Sequence, residues 1–142
     1  MSFGSSLDIV GSALTAERFR TDIITQNIAN AQTTKTESGE PYRSQKVVFE
    51  EIPLAFSEEL DRAKSGGGVR VSNVVKSDAD FKLIYDPTNP DANAEGYVQS
   101  SNVDTTEEQV DLLAASNAYE ANLTALSVIK AMISKTIEMG NK

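Results

Sequence analysis

Apolar residues recur with helical spacing at both ends of this 142-residue chain, and this pattern constrains the fold more than any other feature. It runs from about Ser6 to Asn30, and again from Thr105, which stands in capping-box spacing with Glu108, to Gly140. Because residues three and four apart share one face of a helix, each end predicts a long amphipathic helix. The sequence therefore predicts two terminal helices that pack as an antiparallel, coiled-coil-like pair.

The middle of the chain has a different character and predicts a small strand-rich insert. Three runs rich in β-branched, aromatic and other apolar residues predict strands: Lys46 to Phe49, Val69 to Val75 and Phe81 to Tyr85. Ser65 to Gly68 is typical of a flexible connector. The predicted class is α+β. Three divisions are expected: residues 1–34 as the N-terminal helix of the coiled-coil core, residues 35–104 as the insert, and residues 105–142 as the long C-terminal helix.

The helical pattern at each end divides into two apolar stripes. The first stripe is predicted to form an intramolecular seam between the helices: Leu7, Val10, Leu14, Ile24, Ile28, Leu112, Tyr119, Leu123, Leu126, Ile133 and Ile137. The second stripe lies nearly opposite: Ile9, Ala13, Ala16, Ile23, Val110, Leu113, Ala121, Val128 and Ala131. One partner helix covers only one stripe, so the second is predicted to be a subunit interface. The pattern leaves one alternative open, a compact monomer whose middle segment folds back over the helix.

The charge and hydropathy of the chain argue against two classes of partner. The formal net charge is −8, and lysines and arginines do not cluster, so the sequence predicts no nucleic-acid partner and no attraction to anionic membranes. The most apolar long stretch, Leu112 to Ile133, contains Asn117, Glu120 and Lys130. These polar residues predict that the protein does not insert into a membrane.

The residue types that most enzymes use are missing. The chain has no His and no Cys, which removes the common nucleophile systems and the usual zinc sites. Neighbouring carboxylates such as Glu50-Glu51 and Glu107-Glu108 point apart in regular structure and are expected to be solvated surface charge. The oxygen-rich stretch Asn89 to Glu95 lacks the glycine and glutamate positions of a calcium loop. The sequence predicts no enzyme activity, no metal and no cofactor.

The segment Asn27 to Thr33 reads Asn-Ile-Ala-Asn-Ala-Gln-Thr and closes the first predicted helix. It resembles the signature of the rod, hook and hook-associated axial proteins of bacterial flagella, carried here by Asn27, Ala29, Asn30 and Thr33. Further similar segments follow in order and at matching spacing: Gly39 to Phe49, Tyr85 to Pro87, Asn89 to Ala92, Gly96 to Val98, Asn102 to Asp104 and Ala118 to Asn122. The pattern departs at three positions: Asn89, Ser101 and Asn117. The resemblance is to the proximal-rod members of the family and covers nearly the whole chain.

This resemblance implies a structural subunit of the periplasmic rod of the flagellar basal body, the shaft that transmits motor torque to the hook. It implies as partners copies of the chain and other rod proteins in a helical tube, and the flagellar type III export apparatus. Export would occur without a cleaved signal peptide, and the first residues lack the positive region of a secretory signal. The family's export pattern fits three places: Phe3/Leu7, Phe19/Ile23 and Phe56/Leu60. The alternatives are a cytoplasmic helical adaptor or export chaperone and, third, a cell-wall-cutting enzyme.

Overall fold

The computed structural model describes residues 3–52 and 67–140, and this part of the chain forms two long helices and four strands. The elements follow in this order: α1 Phe3–Ala29, β1 Gln45–Glu51, β2 Val69–Lys76, β3 Lys82–Tyr85, β4 Tyr97–Ser100 and α2 Thr105–Gly140. α1 has 27 residues and α2 has 36, which correspond to about 40 Å and 54 Å. The predicted α+β class is confirmed, because long terminal helices flank antiparallel strands.

The two helices lie side by side and run in opposite directions. The side chain of Asn27, near the end of α1, bonds that of Glu108, near the start of α2. Farther from this end, Arg20 of α1 lies 3.7 Å from Asp111 of α2. The end of α1 lies beside the start of α2, and α2 is nine residues longer than α1 (36 against 27). The last turns of α2 therefore extend beyond the described start of α1.

The start of α2 is capped by a different residue from the one predicted. The carboxylate of Asp104 accepts hydrogen bonds from the backbone N–H groups of Thr106 at 2.9 Å and Glu107 at 3.4 Å. These bonds place Asp104 at the N-cap, so the predicted capping box of Thr105 and Glu108 is wrong. Because Asp104 caps the helix, the Glu108 side chain is not needed for a capping box. It bonds Asn27 of α1 instead.

The strands form two separate antiparallel ribbons. β1 pairs with β2 from Gln45↔Lys76 to Glu51↔Val69, with an irregularity between Val48 and Phe49. β3 pairs with β4 from Lys82↔Ser100 to Tyr85↔Tyr97. All three predicted strand runs lie in or next to a strand. β4, a strand of only four residues, was not predicted from the sequence.

A glycine brings the β1–β2 ribbon close to α1. Gly68 has φ of +93°, and a Cβ atom there would lie 2.6 Å from Oγ of Ser12 in α1. The same Ser12 oxygen accepts a hydrogen bond from the backbone N–H of Val69 at 3.0 Å. Gly68 was predicted to belong to a flexible connector, and this is wrong, because Gly68 packs against Ser12. Ser65 and Gly66 of the same predicted connector lie outside the described residues.

The ribbon also changes the assignment of one side of α1. Ala16 and Ile23 were predicted to lie in the subunit interface, but both are buried inside the subunit, with Ile23 only 7% exposed. Both strands of the ribbon pack against α1. Ala16 borders one cleft together with Val69 and Val71 of β2, and Ile23 borders another together with Val47 of β1. The middle segment thus folds back on α1, which corrects the prediction for these two residues.

Candidate functional site

Asn27 lies where α1, β1 and α2 meet, and it is 1% exposed. Its Nδ2 donates hydrogen bonds to the carbonyl oxygen of Gln45 at 2.8 Å and to Oε1 of Glu108 at 2.9 Å. Its Oδ1 accepts bonds from the backbone N–H of Gln45 and from the Tyr42 hydroxyl, both at 3.0 Å. A side-chain amide offers two donors and two acceptors, and all are used here. Asn27 therefore fixes the start of β1 and the first turns of α2 against the end of α1.

Glu108 is the acidic member of this junction and is 6% exposed. The expectation that it is solvated surface charge is wrong, because its Oε1 also accepts a bond from the Ser44 hydroxyl at 3.3 Å. Burial raises the pKa of Glu108 above its ordinary value, and the hydrogen bonds from Asn27 and Ser44 oppose that rise. Burial also raises the pKa of Tyr42, and the charge of Glu108 adds to this effect.

The remaining residues of the motif act locally at the end of α1. The Nδ2 of Asn30 donates to the carbonyl oxygen of Gln26 at 2.9 Å, and its carbonyl oxygen accepts the N–H of Thr33 at 3.0 Å. Thr33 in turn accepts the N–H of Tyr42 at 3.3 Å, whereas Ala29 is exposed. Asn30 and Thr33 thus terminate the helix, and only Asn27 links distant elements. The linking role of Asn27 was not predicted; the sequence signal that could have indicated it is a polar residue one turn after the apolar pair Ile23-Ile24.

The structure places the predicted seam residues unevenly. Ile24 is buried, and seven are half-buried: Leu7, Val10, Leu14, Ile28, Leu112, Leu126 and Ile133. Tyr119, Leu123 and Ile137 are exposed, Leu123 at 50%. Ala115, the fully buried residue of α2, was not predicted to lie in the seam. It lies on the same helix face as Glu108 and Asp111, which contact α1. Contact through a small residue lets two helices approach closely and leaves their larger neighbours at the flanks.

The predicted outer stripe is exposed along α2 but not along α1. On α2 all five of its residues are exposed: Val110, Leu113, Ala121, Val128 and Ala131. Val110 is 64% exposed and Val128 is 52% exposed. On α1, Ile9 and Ala13 are half-buried, and Ala16 and Ile23 are the corrected residues described above. We call the five residues of α2 the outer stripe from here on; Met132 and Met139, also exposed, continue it.

Two other kinds of feature, a cluster of metal ligands and a membrane span, do not occur among the described residues. Within residues 3–52 and 67–140, no three acidic, His or Cys side chains come together to hold a metal ion. Over the same ranges, neither helix combines the length and hydropathy that crossing a membrane requires. Of the export-pattern candidates, Phe3 and Phe19 are exposed on α1, and Phe56/Leu60 lies outside the described residues.

Comparison with known proteins identifies the kind of chain that carries this arrangement. Residues 7–35 match the family model described as flagella basal body rod protein. Residues 94–139 match the model described as the C-terminal part of the flagellar basal body rod FlgEFG protein. The two matches cover nearly all of the terminal helices and the whole Asn27 motif.

Curated relatives match over almost the full length. The flagellar basal-body rod protein FlgC of Bacillus subtilis is 46% identical, with 95% of this chain and 96% of the relative aligned. FlgC of Salmonella typhimurium is 39% identical over 99% of both chains, and FlgC of Borreliella burgdorferi is 39% identical over 93% of both. The resemblance seen in the sequence is confirmed, and the chain belongs to the FlgC family of flagellar basal-body rod proteins.

Proposed function

We propose that this chain is a structural subunit of the proximal rod of the flagellar basal body. The observation that carries the proposal is the outer stripe of α2, an apolar surface that the subunit's own helix and strands leave uncovered. Alternate apolar and polar faces on one long helix are suited to burial against another subunit. The near-full-length similarity to FlgC proteins supports the flagellar rod as the assembly in which this surface is buried.

The contacts between the helices and the strands support a role in transmitting torque. The junction at Asn27 ties the two helices to the β1–β2 ribbon, so force applied to α2 reaches the rest of the subunit through several hydrogen bonds. The outer stripe would then bury its apolar residues against copies of the chain and other rod proteins. Many packed seams in a helical tube spread torsional load, because close-packed interiors deform little.

We also propose the route and location that the family implies. The subunit would leave the cytoplasm through the flagellar type III export apparatus, keep its N-terminus uncleaved, and occupy the periplasmic part of the rod. N-terminal sequencing of the subunit recovered from purified basal bodies tests the route. Recovery only from cytosolic fractions would instead favour a helical adaptor or export chaperone.

The experiment on the outer stripe compares two neighbouring substitutions on α2. Val128→Asp places a carboxylate in the stripe, where burial of an unpaired charge in a subunit contact costs several kcal/mol. Ser127→Asp places the same charge one residue earlier, about 100° around the helix, on an exposed polar face. Both positions are exposed in the single subunit, so both variants should fold with stability within about 0.5 kcal/mol of wild type.

The expected outcome is a difference in assembly alone. In cells that lack the native rod subunit, Ser127→Asp should restore swimming, and Val128→Asp should be produced but absent from purified basal bodies. Incorporation of Val128→Asp into functional rods would show that the outer stripe is not a subunit contact. Loss of folding in Val128→Asp, measured by circular dichroism, would also contradict the assignment.

A further inference from the structure

Glu108 is buried at the junction without a cation bonded to it. Both hydrogen bonds that it accepts end on Oε1 and come from neutral groups, the amide of Asn27 and the hydroxyl of Ser44. No described residue donates a hydrogen bond to Oε2. A carboxylate in such a setting is solvated poorly, whereas its protonated form keeps the Oε1 acceptor and carries the proton on Oε2.

Charged groups near Glu108 come from every element packed at the junction, and most of them form ion pairs with other residues. From the β1 segment, Lys46 pairs with Glu107 at 3.1 Å. From α1, Arg20 lies 3.7 Å from Asp111. Lys46, Arg20 and Asp111 border a cleft of about 190 Å³ that Glu108 also lines. Asp111 disfavours a second negative charge, Lys46 favours it, and Tyr42 remains neutral until alkaline pH. None of these charges cancels the cost of burial.

We propose that Glu108 makes the junction of α1, β1 and α2 a pH-sensitive lock, which holds most tightly when Glu108 is protonated and loosens when it ionises. What loosens the junction is the cost of burying the ionised carboxyl group, which the hydrogen bonds from Asn27 and Ser44 oppose and do not cancel. This cost falls on the contact between the helix pair and the insert, because Asn27 bonds both Glu108 and the backbone of Gln45. This inference concerns the single subunit and does not depend on its place in a rod.

The direction follows from the raised pKa of Glu108. A group whose pKa is higher in the folded state contributes stability that is fully present below its unfolded pKa and is lost as pH rises through its folded pKa. The affected window therefore begins near the ordinary value of 4.5 and extends upward. The Asp104 cap has the opposite sign, since backbone N–H groups lower its pKa below 3.8, and its effect falls at lower pH.

The test compares the full chain with two variants in urea unfolding between about pH 4.5 and pH 8. Glu108→Gln keeps the Oε1 acceptor and cannot ionise, so the unfolding constant of wild type relative to this variant should grow as pH rises. Glu107→Gln is the matched control, because it removes an adjacent, exposed charge. The unfolding constant of this variant should depend on pH in the same way as that of the wild type. Equal pH dependence in wild type and Glu108→Gln would overturn the proposal, as would equal flattening by both variants.

A local measurement keeps the proposal testable if Glu108→Gln does not fold. The side-chain amide of Asn27 bonds directly to Glu108, so its nitrogen and proton resonances should titrate in the wild-type protein with a midpoint above the ordinary glutamate value of 4.5. Amide resonances that stay constant with pH, or that titrate at or below the ordinary glutamate value of 4.5, would refute the lock.

Discussion

Replacement of Asn27 by alanine removes the amide that holds three elements together, and it should destabilise the subunit strongly. The substitution leaves both backbone groups of Gln45, the Tyr42 hydroxyl and Oε1 of Glu108 without their Asn27 partner. The most costly of these is Glu108, because it is buried and keeps only the longer bond from Ser44. We therefore expect the variant to lose more than the usual cost of one hydrogen bond.

The magnitude follows from how many groups lose a partner and how buried each is. Each buried group left unsatisfied costs about 1–3 kcal/mol, and the half-buried Gln45 and Tyr42 recover part of this from water. The better helix propensity of alanine returns about 0.5 kcal/mol. The expected net loss is about 3–5 kcal/mol, a large part of the 5–15 kcal/mol typical of a folded domain.

Asn30→Ala is the matched control, since it removes an amide from the same motif and gains the same helix propensity. Its bonds join only Gln26 and Thr33 within one turn, so its expected cost is about 0.5–1 kcal/mol. Urea unfolding followed by circular dichroism measures both variants. A loss below about 1 kcal/mol for Asn27→Ala, or equal losses for the two, would refute the view that Asn27 binds the elements together.

Two further substitutions test the packing of the insert on α1 by the same unfolding assay. Gly68→Ala should cost about 2 kcal/mol more than Gly39→Ala, because both residues have positive φ but only the new methyl group at position 68 meets Ser12; similar costs would show that the close approach is unimportant. Ile23→Ala should cost about 2–4 kcal/mol in the isolated subunit, while Val128→Ala costs less than about 1 kcal/mol. An inexpensive Ile23→Ala would return Ile23 to the subunit interface.

The sequence by itself determined the existence and rough extent of both helices, and it indicated the family through the Asn27 motif. Local rules suffice for these features, because helical periodicity depends on residues three and four apart. The three predicted strand runs rested on similar short-range signals. The four-residue β4 was missed because so short a segment carries little pattern of its own.

Only the tertiary structure decided which apolar stripe is covered and by what. Ile23 looked like an outer residue because a helical wheel shows that a face is apolar without showing which element packs on it. Glu108 looked like surface charge because its burial depends on Asn27, 81 positions away in the chain. The tertiary structure also decided that an alanine, and not a leucine, is the fully buried apolar residue of α2, since helix packing depends on the shapes of both partners. Such contacts join residues that are distant in sequence, and no local pattern records them.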